Sequence, residues 1–314
     1  MRITGNGERS VRASLIVLNY NGGEVIERCL DSLSEASGPE DEIIVVDNAS
    51  SDESRGIIRS REDVRLVELA RNTYIFGLNN GLEIARGTFV AFLNNDIAVD
   101  RGFVDRCLER FGDGPDVFAV CPRILELGGR DQGSRTSGIW HRGLIFFRPL
   151  AHTTFPTDCF FAVGGQSFFR RDMLAEIGSI DPLLSPMYHE DLELSYRAWK
   201  RGWRIRYAPD AVAHHVGGHS SHRVFTPAQL RSFVRQNEFL TVWKDVTDRT
   251  LLVEHLALLP ARLSAAAFKG DWPTIVGFAR AASRLADVRR ARRNARSHMR
   301  LSDSDVLRRL SEIH

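Results

Sequence analysis

The chain has 314 residues, 43% of them hydrophobic and 26% charged, and its 42 basic and 40 acidic residues leave a formal net charge of +2. These values are ordinary for a globular protein, and the balance of charge excludes a chain that binds polyanions over its whole surface. The length favours one large domain with an appendage, or two domains.

The cysteines and the N-terminus indicate a cytosolic protein. Cys29, Cys107, Cys121 and Cys159 are widely spaced and form no Cys-x-x-Cys pair, which argues against a zinc knuckle or a disulfide framework and favours reduced thiols. The apolar run near the N-terminus is too short for a signal peptide or a membrane span, so we expect residues 15–18 to form a core strand.

Up to about residue 120, short apolar runs alternate with helical patterns. The runs SLIVLNY, IIVVDN and TFVAFLNND are separated by patterns such as GEVIERCLDSL and NNGLEIARG. This alternation is typical of βαβ units and a mostly parallel sheet. The three runs end in polar residues, at Asn19, at Asp47 and at 94–96. Ligands of open α/β sheets bind outside the carboxyl ends of the strands, so these ends are predicted to line one crevice.

The middle of the chain is less regular. Residues 128–156 have no clear period, which predicts loops or short antiparallel strands over the site. The stretch FFAVGGQSFFRRDMLAEIG predicts a strand and then a helix capped by Asp172, and RIRYAPDAVAHH predicts one more strand. Between them, YHEDLELSYRAWKRGW predicts an amphipathic helix that begins near residues 189–191. Its apolar face would carry Leu192, Tyr196, Trp199 and Trp203.

Beyond residue 226 the pattern is helical, and Ala279 to Arg300 contains eight arginines and one acidic residue. We predict a catalytic domain over residues 1–225 and a separate helical, Arg-rich appendage over 226–314. The appendage has no uncharged run of 18 residues, so no membrane span is expected. Basic helices with an apolar face bind anionic leaflets, which predicts contact with the inner face of the cell membrane. A solvated helix or a contact in a homo-oligomer explains the tail equally well.

Four polar groups are candidates for chemistry. Asp47 either accepts a hydrogen bond from a ligand or caps the next helix. Asp96 is either a turn residue or a ligand of Mg²⁺ or Mn²⁺, ions that take few protein carboxylates and leave positions for phosphate. Glu190 and Asp191 either complement a helix dipole or supply a general base, which must be an ionised carboxylate.

The fourth group is a cluster of histidines, His214, His215, His219 and His222. Neither a cysteine nor a His-Glu-x-x-His pattern supports a zinc site there. A single histidine that completes a metal and diphosphate site is one interpretation, and a solvated loop is the other.

Taken in order, these stretches resemble the family 2 glycosyltransferases, which are inverting enzymes of the GT-A fold, and within them the rhamnosyltransferase-like members. The resemblance covers residues 13–245. It rests on SLIVLNYNGGEVIERCLDSL, IIVVDNASSD, RNTYIFGLNNGLEIARG, FVAFLNNDIAVD, GGQSFFRRDMLAEIGSID and YHEDLELSYRAWKRGWRIRYAPDAVAHHVGGHSS. It implies a Rossmann-like, mostly parallel sheet with flanking helices, a nucleotide-binding half over about 12–125 and an acceptor half over about 126–225.

The resemblance also implies roles for particular residues. Asp191 would be the general base, with Glu190 holding the acceptor or supporting that base. Asp96 would bind the metal ion on the donor diphosphate, with His214 nearby and His215 as the alternative. The nucleotide would be bound by Asn19, Tyr20, Asp47, which contacts the base, and Asn80, Asn94 and Asn95.

Two departures from the family pattern stand out. Asn94 replaces the first acid of the Asp-x-Asp motif, which leaves one carboxylate for the metal ion. The loop before it reads Asn72-Thr73-Tyr74-Ile75 where the family usually carries Asn-x-Gly-Phe and small residues, so Tyr74 is expected to narrow the nucleotide pocket.

The function implied is transfer of a sugar, with rhamnose as the leading candidate, from a nucleotide-diphosphate donor to a saccharide or polyprenyl-linked acceptor in cell-surface polysaccharide synthesis. Asn94 keeps a second hypothesis open, a catalytically silent subunit that binds sugar nucleotides or acts as a scaffold. A nucleic-acid-binding protein is disfavoured, because the overall charge is balanced and the chain carries no base-reading module.

Overall fold

The computed structural model describes residues 11–126, 128–215 and 224–313. Its main element is a nine-stranded mixed sheet. Four parallel strands form one side in the order β3-β2-β1-β4, and they are β1 (Ala13–Asn19), β2 (Asp41–Asp47), β3 (Val64–Glu68) and β4 (Phe89–Asn94). The predicted βαβ pattern and the core strand at residues 15–18 are confirmed.

The sheet continues beyond β4 with antiparallel and parallel neighbours. The order is β10-β6-β11-β5, with β9 paired to β11. These strands are β5 (Ile97–Val99), β6 (Val117–Glu126), β9 (Thr157–Asp158), β10 (Gln166–Arg170) and β11 (Arg204–His215). A separate hairpin of β7 (Thr136–His141) and β8 (Leu144–Pro149) accounts for the antiparallel strands predicted in the irregular segment.

Helices lie between the strands and after them. In the first 200 residues these are α1 (Ile26–Ala36), α2 (Ser54–Arg59), α3 (Gly77–Ile84), α4 (Phe103–Glu109), α5 (Arg171–Ile177) and α6 (Glu190–Lys200). After them come α7 (Pro227–Asp245), α8 (Arg249–Phe268), α9 (Trp272–Ser283), α10 (Leu285–Arg296) and α11 (Asp303–Ser311).

The parallel strands are buried on both faces, as their continuous apolar runs predict. Successive side chains of a strand point to opposite faces. Leu15 and Val17 therefore join one hydrophobic cluster with α1 and α4, whereas Ile16 joins a second cluster with Phe92 and the later helices. The sheet is thus the middle layer between two apolar cores.

The helices predicted beyond residue 226 are present, but they do not pack as a separate body. Phe239 and Leu240 of α7, together with Val306 and Leu310 of α11, belong to the same buried cluster as Ile16 of the central sheet. The C-terminal helices therefore complete the core of the catalytic domain.

Helix α6 begins at the predicted residue but is not amphipathic. Every residue of α6 except Asp191 is buried, including the charged Glu193, Arg197 and Lys200. Trp203 lies beyond the end of the helix and stacks on Phe118 with ring centroids 5.6 Å apart. The side chains that were expected to face solvent are covered by the C-terminal helices.

Ion pairs compensate the buried charges of α6. Glu193 accepts from Arg197 at 2.6 Å on its own helix and also from Lys244 of α7. Lys244 contacts Asp181 at 2.6 Å as well, and Lys200 lies 2.9 Å from Asp303 at the start of α11. Burying a charge is costly unless it is paired, so these contacts require the C-terminal helices to be in place.

Three smaller expectations have different outcomes. Asp172 is not the cap of α5, because the helix already begins at Arg171 and Arg170 holds the cap position. All four cysteines are buried with unbridged thiols. Helix α8 is long and apolar enough to cross a membrane, judged by length and composition only. After its first residue, only Glu254 and Arg262 of this helix are charged.

Replacing Lys244 by Met tests the buried ion pairs. We expect Lys244→Met to lower the free energy of unfolding by about 3 kcal/mol, because Glu193 and Asp181 lose a buried counter-charge. Chemical denaturation measures the change. The control is Arg308→Met, whose pair with Asp305 is solvent-exposed and should contribute less than about 1 kcal/mol. Equal losses in both variants would contradict the proposed role of the buried network.

Candidate active site

Polar residues from three parallel strands meet at one edge of the sheet. Asn19 at the end of β1 pairs with Asp47 at the end of β2, and Asn94 at the end of β4 pairs with Leu18. A cleft of about 370 Å³ opens there. The crevice that the sequence predicted outside these strand ends is confirmed.

Six of the predicted residues line this cleft, and the other four do not. The lining residues are Tyr20, Asn94, Asn95, Asp96, Glu190 and Asp191. Asp96 and the acidic pair come from distant parts of the chain and share one cavity. Among the described residues around the cleft, Asn19, Asp47, Asn80 and His214 are absent from the lining.

Asn19 and Asp47 lie beneath the cleft rather than in it. They are 0% and 1% exposed. Asn19 Nδ2 donates to Asp47 Oδ1 at 2.9 Å, and Asn95 Nδ2 donates to Asn19 Oδ1 at 2.8 Å. Ser50 N donates to the other oxygen of Asp47 at 3.1 Å. The implied contact between Asp47 and a nucleotide base therefore has no exposed carboxylate to make it, and both residues instead support the floor of the cleft.

Asn48, the neighbour of Asp47, does line the cleft. Its Oδ1 accepts from Thr73 N at 2.8 Å and its Nδ2 donates to Tyr74 O at 2.8 Å. These bonds hold Tyr74 in the cleft wall, where the unusual loop sequence predicted it. Asn80 lies half-buried on α3 and takes no part in this wall.

Glycines allow the asparagines of the site to approach the backbone. Asn94 N donates to Gly165 O at 2.6 Å, and a Cβ on Gly165 would lie 2.1 Å from Asn94 Oδ1. Gly165 also has a φ of +74°, which favours glycine. A Cβ on Gly22 would lie 2.1 Å from Asn95 Nδ2. Close packing therefore determines where both amides lie.

Asp96 is paired with His215 and not with His214. His215 Nε2 lies 3.0 Å from Asp96 Oδ2 and lines the cleft. His214, on the opposite face of β11, lies 3.0 Å from Asp100 instead. The alternation of side chains along a strand explains why only one of two adjacent histidines can reach Asp96. Of the two alternatives, the structure places His215 and not His214 beside Asp96, and His219 and His222 lie outside the described residues.

The chemistry of Asp96 fits a divalent ion. Its side chain is buried, and its Oδ1 has no hydrogen-bond partner among the described residues. A buried carboxylate oxygen without a partner is costly unless a cation or a donor reaches it. Gln132 Nε2 lies 3.0 Å from His215 Nδ1, which leaves Nε2 of His215 to contact Asp96. No cluster of three acidic, His or Cys residues suited to a metal occurs in the described ranges, so an ion here would depend on phosphate and water for its other ligands.

The acidic pair stands at the start of α6, after a loop that α7 holds in place. Tyr188 and His189 both have positive φ values, +68° and +70°, just before Glu190. Asn237 Nδ2 of α7 donates to Leu184 O and Tyr188 O, both at 2.7 Å. One buried side chain of a C-terminal helix therefore fixes the conformation of the loop that presents the candidate base.

The two acids differ in their surroundings. Burial, and then the charge of Asp191, raises the pKa of Glu190 to about 8, and its Oε2 has no hydrogen-bond partner among the described residues. Burial also raises the pKa of Asp191, but two backbone N–H groups oppose this by donating to its carboxylate, Gly164 N at 3.1 Å and Leu192 N at 2.8 Å. Backbone hydrogen bonds therefore favour the ionised form of Asp191, whereas Glu190 has a raised pKa and an oxygen without a partner among the described residues.

Several cleft residues were not singled out from the sequence. Asn48, Gly164, Met187 and Tyr188 line the cleft, and Asn237 supports it from behind. Asn48 follows Asp47 directly, so the polar end of β2 was the available signal for it. Asn237 sits in an ordinary helical pattern, and only its packing against the loop reveals its role.

A mixed α/β sheet with a crevice at the ends of its parallel strands and flanking helices is the arrangement of the GT-A fold. The model of the Glycosyl transferase family 2 matches residues 14–178, more than half of the chain. The chain therefore belongs to glycosyl transferase family 2. Among curated proteins, an uncharacterized protein of Mycobacterium tuberculosis (strain CDC 1551 / Oshkosh) is 38% identical over 119 residues, which is 36% of each chain.

Solved structures share the fold at low sequence identity. The chain matches GalNAc-T7 with UDP, GalNAc and Mn²⁺ at a TM-score of 0.61 and 19% identity, covering 76% of this chain and 49% of that one. It matches S. aureus TarS in complex with UDP-GlcNAc at 0.60 and 17% identity, covering 96% and 90%. A mannosyltransferase of Pyrobaculum calidifontis with GDP-Man and Mn²⁺ gives 0.53 and 20%, covering 88% and 75%. The chain thus spans about a third of the curated relative and half of GalNAc-T7, and the GT-A fold is confirmed.

The raised pKa of Glu190 predicts a pH-dependent stability. The folded protein keeps a proton on Glu190 up to pH about 8, whereas the unfolded chain loses it near pH 4.5. Folding stability therefore falls as pH rises through this window. We expect Glu190→Gln to be increasingly more stable than the wild type between pH 5 and pH 8.5, measured as a growing difference in Tm. A difference that stays constant over this range would show that Glu190 titrates normally.

Proposed function

We propose that the protein is an inverting glycosyltransferase that moves a sugar from a nucleoside-diphosphate donor to a hydroxyl of a saccharide or polyprenyl-linked saccharide acceptor in cell-surface polysaccharide synthesis. The observation that carries the proposal is the cleft itself. It brings together Asp96, which has a buried carboxylate oxygen without a hydrogen-bond partner among the described residues, and the acidic pair Glu190 and Asp191. Transfer from a diphosphate needs both functions in one cavity.

The reaction is a single displacement at the anomeric carbon of the donor sugar. The acceptor oxygen forms the new bond on the face opposite the diphosphate, and its proton passes to Asp191. The bond to the diphosphate oxygen breaks, and the nucleoside diphosphate leaves with the electron pair. Asp191 suits this role because backbone N–H groups stabilise its ionised form.

Glu190 is suited to a different task. A carboxyl group whose pKa is raised to about 8 is neutral under physiological conditions and can donate a hydrogen bond. We assign it to orienting the acceptor hydroxyl toward the sugar. Its neutrality also keeps a second negative charge away from Asp191 and from the donor diphosphate.

Asp96 is the residue that would hold Mg²⁺ or Mn²⁺, and His215 would orient it. A bound divalent ion neutralises charge on the leaving diphosphate. Within the chain, Asp96 Oδ2 contacts His215 Nε2, and Asp96 Oδ1 has no hydrogen-bond partner among the described residues. Two of the structural neighbours were crystallised with Mn²⁺, which supports this choice of ion.

The donor nucleotide is expected to lie against the tyrosines of the cleft. Tyr20, Tyr74 and Asn48 line the part of the cavity formed by β1, β2 and the loop before α3. Aromatic rings stack well on bases, and Asn48 Nδ2 has a second N–H that can donate to a base edge while the first bonds Tyr74 O. A dTDP-linked rhamnose is our leading donor by family resemblance, and the UDP- and GDP-sugar complexes of the neighbours define the alternatives to test.

For location, we propose the cytoplasm with peripheral contact at the inner face of the membrane. The Arg-rich segment from Ala279 to Arg300 supports this only in part, because several of its arginines serve the fold. Arg292 donates to Val246 O, Arg284 donates to Leu183 O, and Arg280 lies 4.9 Å from the centre of the Phe233 ring. The remaining arginines of this region, such as Arg290 and Arg293, are exposed.

Asp191→Asn tests the assignment of the base. We expect a drop in kcat of about 10²- to 10⁴-fold with little change in Tm, because proton removal from the acceptor is lost and the fold is kept. The measurement needs the donor, which a thermal-shift screen over UDP-, dTDP- and GDP-sugars would find. Near-normal transfer by Asp191→Asn would contradict the role of the base. Donor binding without transfer or hydrolysis by the wild type would favour the silent subunit.

The metal site is tested by comparing two adjacent histidines. We expect Mn²⁺ to raise the Tm of the wild type in the presence of a nucleoside diphosphate, and this rise to be lost in Asp96→Ala and reduced in His215→Ala. His214→Ala is the matched control and should retain it, because His214 contacts Asp100 on the other face of β11. The same loss in both histidine variants would contradict the site described here.

A further inference from the structure

A second cavity lies among α7, α8, α9 and the tip of the β7–β8 hairpin. Its volume is about 440 Å³, and it shares no lining residue with the cleft of the candidate active site. Four basic side chains line it, from Arg142, Arg235, Arg262 and Lys269, together with the two acids Glu238 and Asp271. We call it the basic cavity.

The acids of the basic cavity are already engaged. Glu238 pairs with Arg235 at 2.8 Å, and Asp271 accepts from Thr274 Oγ1 at 2.7 Å at the start of α9. Within the described part of the chain, Arg142, Arg262 and Lys269 form no ion pair with a carboxylate. With four basic and two acidic side chains, the cavity carries an excess of positive charge that attracts an anion.

Burial makes the charged form of Arg262 less favourable in this cavity. Desolvation lowers the pKa of Arg262, Glu238 partly offsets it, and repulsion from Arg235 and Arg142 adds to it. An anionic ligand would relieve both the desolvation and the repulsion, since charge-assisted hydrogen bonds to phosphate are strong.

The walls of the basic cavity are held by hydrogen bonds. Arg142 and Gly143 form the two-residue turn of the hairpin, with φ values of +49° and +79°. His255 Nδ1 of α8 lies 2.7 Å from Gly143 O, while its Nε2 accepts from Trp243 Nε1 at 2.9 Å, so Nδ1 carries the proton and donates. Arg262 also donates to Arg142 O. The cations are thus arranged before any ligand arrives.

The outward face of α8 borders this cavity and is apolar. From 253 to 268 its exposed positions recur every three or four residues and none is charged: Val253, Leu256, Ala257, Pro260, Ala261, Ser264, Ala265, Ala267 and Phe268. A helix that is hydrophobic on all sides is usually buried. In α8, however, only 11% of the most apolar 18-residue stretch is buried. Phe268 and Trp272, which follow this face, are 93% and 63% exposed.

We propose that the basic cavity binds the phosphate-bearing headgroup of an anionic lipid, with the outward face of α8 lying in the interfacial layer of the same membrane. The cavity and the face together suit a molecule with an anionic head and an apolar tail. A free phosphate would use the cations but leave the apolar face in water. A second copy of the chain would bring two positively charged regions together, because residues 226–314 hold sixteen basic and nine acidic residues.

Helix α8 lies along the membrane in this proposal and does not cross it. Its inner face is bound to the domain, since Trp140 Nε1 donates to Glu254 at 2.8 Å and His255 is 2% exposed. Aromatic side chains such as Trp272 are favoured at the membrane interface. The proposal does not depend on the transfer reaction or on the identity of the donor.

The test is vesicle flotation of the full chain. Vesicles of phosphatidylcholine alone are compared with vesicles that contain phosphatidylglycerol, and we expect binding to the anionic vesicles. Arg142→Asn with Lys269→Gln removes two cations of the cavity, and Asn suits the turn conformation of residue 142. We expect this pair to weaken binding roughly 30-fold. Leu256→Glu, on an exposed position, should also weaken it.

The matched control is Arg28→Gln with Arg101→Gln, two exposed arginines that lie outside the cavity and outside the C-terminal helices. We expect these to weaken binding by less than about threefold, and an equal loss would overturn the headgroup site. Calorimetric titration with inorganic phosphate forms a second arm. Phosphate binding that the cavity variants abolish, without any vesicle binding, would overturn the lipid assignment. A dimer that forms without vesicles and dissociates on Leu256→Glu would overturn it in favour of a second copy.

Discussion

The contact between Lys244 of α7 and Glu193 of α6 is the interaction on which the candidate active site depends. Glu193 is 0% exposed and shares its carboxylate with Arg197, so the charges of α6 can be buried only when α7 covers them. The same α7 carries Asn237, which holds the loop that enters α6. The C-terminal helices therefore belong to the catalytic architecture, since they set where Glu190 and Asp191 emerge.

The site combines two kinds of electrostatic asymmetry. In the acidic pair, burial and the charge of Asp191 raise the pKa of Glu190, while backbone donors favour the ionised form of Asp191. In the metal half, His215 engages one oxygen of Asp96, and the other is buried without a hydrogen-bond partner among the described residues. Each half of the site thus contains one group that is held by its neighbours and one that is available for chemistry. Asn94 in place of an acid reduces the negative charge of this half, and the ion would rely more on the donor diphosphate.

Packing divides the polar residues at the strand ends into two groups, one buried beneath the cleft and one lining it. Asn19 and Asp47 lie at strand ends, where ligand-binding residues are expected. In the structure they are buried beneath the cleft and hydrogen-bonded to each other. Asn48 and His215 occupy the surface that the sequence assigned first to their neighbours Asp47 and His214. Neighbouring residues of a strand point to opposite faces of the sheet. At a strand end, one residue can therefore lie beneath the cleft while the next one lines it.

By itself the sequence determined the four parallel strands, the crevice at their ends and the start of α6, because hydrophobic periodicity and polar strand ends are local signals. The meeting of Asp96 with the acidic pair followed from the family resemblance, and the antiparallel half makes the sheet mixed and not mostly parallel. Only the tertiary structure decided which histidine reaches Asp96, that α6 is buried all round, and that the C-terminal helices share the core. These outcomes depend on contacts between residues far apart in the chain, such as Lys200 with Asp303 and Lys244 with Asp181, and local patterns carry no record of such partners.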